Sequence, residues 1–100
     1  MDNDPRIKKI VLQKHRTDDV SVHLTASIDE KGDLVLEGYD IGKFVEDHWG
    51  DSDYEYWLRI DKDYKDTILL WLIKERFLSD SDFRKWLDEK GVPSDFQSWT

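Results

Sequence analysis

The chain has 100 residues, a formal net charge of −8 and no cysteine. This length fits one domain, the acidity disfavours nucleic acid as a partner, and the lack of cysteine excludes disulfides and thiolate zinc sites. The longest apolar run, residues 68–73, is too short to cross a bilayer, and no apolar segment follows the charged amino terminus. We therefore expect a single domain over residues 1–100, cytoplasmic, with no cofactor and no membrane or nucleic-acid partner.

The first forty residues predict three antiparallel strands. Residues 6–15 are strand-like, and their basic side chains suit the edge of a sheet. Residues 20–28 alternate strictly between apolar and polar side chains, and residues 34–39 resume the alternation after a turn at Gly32. The pattern predicts a hairpin over residues 20–39. It places the following residues on the buried side: Val20, Val22, Leu24, Ala26, Ile28, Leu34 and Leu36. It places Ser21, His23, Thr25 and Ser27 in water.

The remaining elements alternate between helix and strand. A short amphipathic helix is expected from Ile41 to Trp49, with Asp40 as its N-cap. A fourth strand is expected over residues 54–60. Helices are expected over residues 64–78 and 79–91, with one further turn over 93–99. The order β-β-β-α-β-α-α predicts an α+β fold, an antiparallel β-meander plus a fourth strand with helices packed on one face of the sheet.

The long helix 64–78 carries more apolar residues than one face needs. Ile68 and Leu72 belong to one stripe, whereas Ile73 and Phe77 belong to another. A helix that is apolar around much of its girth is covered on more than one side. The second stripe predicts contact with the last helices or with a second copy of the chain, so residues 68–77 are a candidate homodimer interface.

Acidic and aromatic residues concentrate between positions 45 and 58. The same stretch contains one histidine, His48. Asp51, Asp53 and Glu55 resemble the first half of a calcium loop, but that pattern requires glycine where Tyr56 stands. We therefore expect no metal ion here and no catalytic residue. The alternative is a metal-dependent hydrolase that uses His48 with the carboxylates of positions 46–55.

Exposed tryptophan and tyrosine beside carboxylates are typical of protein interfaces. Trp57 has two interpretations, as an exposed interface anchor or as a core residue under the last turn. The hypothesis for the whole stretch is a non-enzymatic surface that binds a basic protein. The candidate binding residues are Glu46, Trp49, Asp51, Asp53, Tyr54, Glu55 and Trp57.

A motif spans the same part of the chain. It comprises G-x-D-x-G at 38–42, V-E-x-x-W at 45–49 and G-D-S-D-Y-E-Y at 50–56. The pattern resembles a family of small uncharacterised bacterial proteins over about residues 20–78. The resemblance implies a small bacterial domain that stands alone, and no established activity comes with it. By analogy with other proteins of this size and acidity, the binding hypothesis becomes an immunity-type partner of a basic toxin.

Overall fold

A computed structural model describes residues 4–17, 20–42 and 53–99 and has an α+β fold. The strands are β1 (Lys9–Arg16), β2 (Val20–Ile28), β3 (Leu34–Gly42) and β4 (Asp53–Ile60). A 3-10 helix (Lys62–Tyr64) leads into α1 (Lys65–Arg76), and α2 (Asp80–Glu89) follows. The strands form one antiparallel sheet in the order β1-β2-β3-β4. This confirms the predicted meander, its fourth strand and the two carboxyl-terminal helices.

The chain divides into two compact units. The sheet unit is Ile7–Lys65, and the helical unit combines Met1–Arg6 with Asp66–Thr100. The division neither confirms nor contradicts the single-domain prediction. In the described part of the chain, none of the helices combines the length and the apolarity that crossing a bilayer requires.

The register of the sheet assigns its side chains to two faces. Ala26 lies opposite Ile10 of β1 and Leu36 of β3, and Leu36 lies opposite Leu58 of β4. Alternate residues of a strand point to opposite faces, so these side chains share one face. We call it the apolar face, and the face that carries Thr25 and Glu37 the polar face.

Two local predictions at the ends of elements are wrong. β3 continues through Ile41 to Gly42, so no helix begins at Ile41, and Asp40 is a strand residue. The rest of that predicted helix, residues 43–49, lies outside the described residues. Residues 93–99 have no regular secondary structure, so the last predicted turn does not form.

The predicted burial of the sheet is also wrong in part. Among the described residues, the most buried side chains are Thr25, 4% exposed, and Val35, 8% exposed, and both lie on the polar face. On the apolar face, Ile10 is 50% exposed and Leu58 is 56% exposed. Thr25 is a short residue on an inner strand, between Val11 of β1 and Glu37 of β3. The alternation therefore predicts which residues share a face but not which face excludes water.

Charged side chains hold the β2–β3 turn to the end of β4. Gly32 supports the turn with a φ of 91°, a conformation that L side chains rarely adopt. The Oδ1 atom of Asp29 accepts hydrogen bonds from the backbone N–H groups of Lys31, at 3.0 Å, and Asp33, at 2.9 Å. The Arg59 guanidinium donates to the other Asp29 oxygen and, at 3.3 Å, to Asp33. The turn is thereby tied to β4, the strand that carries the described candidate binding residues.

The same contacts predict a pH-dependent stability. The hydrogen bond from Arg59, more than any other contact, holds the pKa of Asp29 below its ordinary value of 3.8. Ionised Asp29 therefore stabilises the fold above pH 3.8, and this contribution is lost as the pH falls through the lower folded-state pKa. We expect Asp29→Asn to be less stable than the wild type at neutral pH, with a difference that shrinks below pH 3.8. Urea unfolding from neutral pH to below pH 3.8 measures this difference in stability.

The matched control for this prediction is Glu30→Gln. Glu30 is the exposed neighbour of Asp29 in the turn, so its substitution should leave the stability profile close to that of the wild type. A difference between Asp29→Asn and the wild type that stays constant down to strongly acidic pH would contradict the assigned role of the carboxylate.

The helical unit is organised around aromatic rings. Ser79 caps α2 by accepting a hydrogen bond from the backbone N–H of Asp82 at 3.1 Å. This cap places Phe83 4.9 Å and Trp86 5.6 Å from Phe77, measured between ring centroids. We call these three rings the aromatic cluster. Ring pairs at such distances stabilise beyond the area that they bury, so the cluster joins α2 to the end of α1.

Candidate functional site

The described residues contain only part of the predicted binding stretch. Glu46, His48, Trp49 and Asp51 lie outside them. Asp53 is the first residue of β4, opposite Ile41 of β3. Tyr54, Glu55 and Trp57 follow on β4 and are exposed. The described part of the predicted binding stretch is therefore the surface around β4.

The pleat of β4 divides these residues between the two faces. Tyr54 shares the apolar face with Tyr56, and their ring centroids are 5.5 Å apart. Glu55 and Trp57 are on the polar face, because successive residues of a strand alternate. Trp57 is 61% exposed, so its side chain is not buried as a core residue. This agrees with the interpretation of Trp57 as an exposed anchor.

The polar face continues from β4 onto the inner strands. Glu55 lies opposite Tyr39 of β3, and Tyr39 lies opposite His23 of β2. The rings of His23 and Tyr39 are stacked with their centroids 5.5 Å apart. We call a set of directly opposed residues across the strands a row. In the next row on this face, Trp57 lies opposite Glu37. We call Glu37, Tyr39, Glu55 and Trp57 together the acidic–aromatic patch.

A cleft that the sequence did not predict borders this patch. Its volume is about 190 Å³, and it is lined by Lys9, His23, Thr25, Glu37 and Tyr39. The Thr25 hydroxyl donates to the Glu37 carbonyl oxygen at 3.4 Å. The available signal was the period-two alternation, which places His23 and Thr25 on one face. The alternation could not show that Glu37 and Tyr39 lie beside them, since that depends on the hairpin register.

Charge changes sign across the polar face. Lys14 of β1 lies opposite His23, whereas Glu55 lies at the other end of the same row on β4. Lys9 lies on β1 two rows away and lines the cleft beside Glu37. On β4 this face also carries Arg59, opposite Val35, and its guanidinium is hydrogen-bonded to Asp29 and Asp33. The acidic–aromatic patch, in the rows of Glu37 and Glu55, is therefore the negative part of the face.

The apolar face carries a close aromatic contact behind the patch. The ring of Tyr56 lies over Gly38 of β3, where an added Cβ would be 2.5 Å from the Tyr56 hydroxyl oxygen and 2.7 Å from Cε2. Burial, followed by the charge of Asp40, raises the pKa of Tyr56. In the described part of the chain, the Oδ1 atom of Asp40 is buried without a hydrogen-bond partner, an arrangement that costs free energy.

The described residues form a surface that could bind a protein and do not form a metal site. Residues 4–17, 20–42 and 53–99 contain no group of three or more His, Asp or Glu side chains that could hold a metal ion. The hydrolase alternative depends on residues 46–51, which lie outside the described parts, so it stays a prediction. What the patch presents is carboxylates beside flat aromatic rings, which attract the ammonium and guanidinium groups of lysine and arginine.

The fold and this surface define an α+β protein with an acidic, aromatic patch on one face of a four-stranded sheet. Comparisons add no relative to that description, because no family model, no curated protein and no solved structure matches the chain. The resemblance to the small bacterial family therefore stays a prediction.

Proposed function

We propose that this chain is a non-enzymatic, cytoplasmic protein-binding domain that binds a basic protein through the acidic–aromatic patch. An immunity-type partner of a basic toxin is the most concrete form of this proposal. The observation that carries it is the row geometry of the polar face, in which Glu37 lies opposite Trp57 and Tyr39 lies opposite Glu55. Both carboxylates of the patch, Glu37 and Glu55, thus have an aromatic residue as their cross-strand neighbour.

The two kinds of side chain support different steps of binding. Carboxylates on a chain of net charge −8 attract a positively charged partner over a distance and raise the association rate. Exposed aromatic rings bury large areas once contact is made and lower the dissociation rate. Trp57 has the exposed area for the second role, and Glu37 and Glu55 have the charge for the first.

We expect binding to weaken when the charge of the acidic–aromatic patch is reversed. Glu37→Lys combined with Glu55→Lys replaces two carboxylates with ammonium groups and should lower the association rate about tenfold or more at low ionic strength. The dependence of the rate on salt should flatten, since electrostatic steering is screened by ions. The immobilised wild-type chain first captures its partner from a lysate of the source cell, and surface plasmon resonance then measures the rates.

The matched control places the same charge change elsewhere. Glu30→Lys combined with Asp88→Lys alters the net charge equally at two exposed positions, in the β2–β3 turn and in α2. This control should retain the captured protein. Equal retention by the patch variant and the control, or an association rate indifferent to both the patch charges and salt, would contradict the proposal.

A further inference from the structure

The cleft on the polar face is bounded by charges of opposite sign. Lys9 of β1 lines one side, and Glu37 of β3 lines the other. Thr25 of the intervening strand β2 is only 4% exposed, so it forms the floor. Lys9 and Glu37 are two strands apart and lie in adjacent rows, which places their Cα atoms roughly 12 Å apart. Two long side chains therefore reach over β2 from opposite sides of a space of about 190 Å³.

Neither of these charges is neutralised by a neighbouring side chain. In the parts of the chain that the structure describes, no ion pair involves the Lys9 ammonium or the Glu37 carboxylate. By contrast, the carboxylates of Asp29 and Asp33 in the β2–β3 turn are both paired with Arg59. A simple cation in the cleft would be attracted by Glu37 and repelled by Lys9. A ligand that carries a cation at one end and an anion at the other would be attracted by both.

Two aromatic rings complete the lining of the cleft. His23 and Tyr39 are stacked with their ring centroids 5.5 Å apart, and Tyr39 is 38% exposed. A guanidinium is planar, stacks on aromatic rings and donates two parallel hydrogen bonds to one carboxylate. An ammonium group is a compact point charge without this geometry. The rings beside Glu37 therefore favour arginine over lysine as the cationic end of the ligand.

We propose that this cleft binds an arginine that has a free α-carboxylate. Its guanidinium lies against Tyr39 and pairs with Glu37, whereas its carboxylate pairs with Lys9. Three methylene groups lie in the stem that separates the two charged ends of arginine, so one molecule reaches both sides of the cleft. The volume of about 190 Å³ equals the share of about six water molecules, which is room for the guanidinium and part of the stem.

The inference deepens the proposed function and rests on it for one source of the ligand. Glu37 and Tyr39 belong to the acidic–aromatic patch, so a basic partner that ends in arginine would place its last residue in the cleft. Glu55 and Trp57 do not line the cleft and stay available to the rest of that partner. The other source is free arginine, which requires no protein partner.

Titration with N-acetylarginine, followed by the chemical shifts of backbone amides at constant ionic strength, tests the site without any partner. This probe carries the guanidinium and the carboxylate but no ammonium group. We expect saturable shifts concentrated at residues 23–25 and 37–39. The dissociation constant should be on the order of 1 mM, an ordinary value for a ligand of about fifteen non-hydrogen atoms. N-acetylargininamide, which lacks the carboxylate, should bind about fivefold more weakly, and so should N-acetyllysine.

Variants that remove one charge assign the two ends of the ligand. Glu37→Gln should weaken the binding of N-acetylarginine and of its amide about fivefold, because both probes carry the guanidinium. Lys9→Gln should weaken N-acetylarginine by a similar factor and should not weaken the amide. Glu30→Gln and Lys31→Gln remove the same charges from the exposed part of the β2–β3 turn. These matched controls should bind both probes as the wild type does.

Two further probes distinguish the sources of the ligand. Free arginine adds an α-ammonium group, and the tripeptide Gly-Gly-Arg adds peptide groups before an arginine with a free carboxylate. Tighter binding of free arginine would assign the site to the amino acid. Tighter binding of the tripeptide would assign it to the carboxyl-terminal residue of a protein.

Three results would overturn the inference. The first is a titration without saturable shifts at residues 23–25 and 37–39. The second is equal affinity of the wild type for N-acetylarginine and its amide, which would remove the role of Lys9. The third is binding that Glu37→Gln weakens no more than Glu30→Gln does, which would show only a general attraction to an acidic chain. A chain that captures a basic protein but gives any of these results keeps the proposed function and loses the arginine site.

Discussion

Replacing Gly38 by valine is expected to lower the free energy of unfolding by about 3 kcal/mol, the upper end of the usual cost of overpacking. Gly38 is buried, and its missing side chain leaves the space in which the ring of Tyr56 lies. Even one added carbon would be 2.5 Å from the Tyr56 hydroxyl oxygen. The ring must therefore move, and the pairing of β3 with β4 loses its packing. Urea unfolding measures the loss.

A double-mutant cycle with Tyr56→Ala identifies the cause. If the clash with the ring produces the cost, Gly38→Val should be far less destabilising when Tyr56 is already alanine. Val35→Ala serves as a comparison, because Val35 is buried on the other face of the same strand. The changes in the free energy of unfolding caused by Val35→Ala and Tyr56→Ala should therefore add. Additive effects of Gly38→Val and Tyr56→Ala would show that the ring does not set the requirement for glycine.

Phe77→Ala is expected to destabilise the protein by about 3 kcal/mol, the low end for a phenylalanine because its side chain is only partly buried. Phe77 contacts both Phe83 and Trp86 in the aromatic cluster, with centroid distances of 4.9 and 5.6 Å. Removing its ring takes away two of the three ring pairs and leaves α2 with less to pack on. Leu78→Ala is the matched control, because Leu78 is the next residue and is 97% exposed. It should change stability by less than about 0.5 kcal/mol.

The same variant tests the single-domain prediction. A chain of this length usually unfolds in one cooperative step. If the two compact units belong to one cooperative domain, Phe77→Ala should lower the hydrogen-exchange protection of amides in β2 and β3 as much as that of amides in α1. Protection lost in the helices alone would show that the sheet unit, Ile7–Lys65, is stable by itself.

The hairpin and the carboxyl-terminal helices were predictable because their signals are local. Strict alternation over residues 20–28, a turn at Gly32 and a cap at Ser79 each act within a few residues of the chain. The helix predicted from Ile41 failed at its start, because β3 continues its pairing with β2 through Ile41 and Gly42. A ladder hydrogen bond to another strand overrides a short amphipathic pattern, and a local pattern contains no information about that partner.

The candidate site was also predictable only in part. The sequence identified Tyr54, Glu55 and Trp57 as candidate binding residues from composition and spacing alone, and it left the exposure of Trp57 open. It did not identify Glu37 and Tyr39, since nothing near them in the chain indicates that Trp57 and Glu55 lie opposite them. The cleft beside His23 and Thr25 likewise exists only because β1, β2 and β3 bring distant side chains together.

The sequence by itself determined the α+β class, the order of the strands and helices, and the acidic character of the chain, because periodicity, capping and charge are properties of neighbouring residues. Only the tertiary structure decided which carboxylates lie beside which rings and that, among the described residues, Thr25 and Val35 are the most buried side chains and β4 is an outer strand of the sheet. These outcomes depend on strand register and on contacts between residues far apart in the chain, and a one-residue change of register would reverse the face of every side chain in the shifted strand.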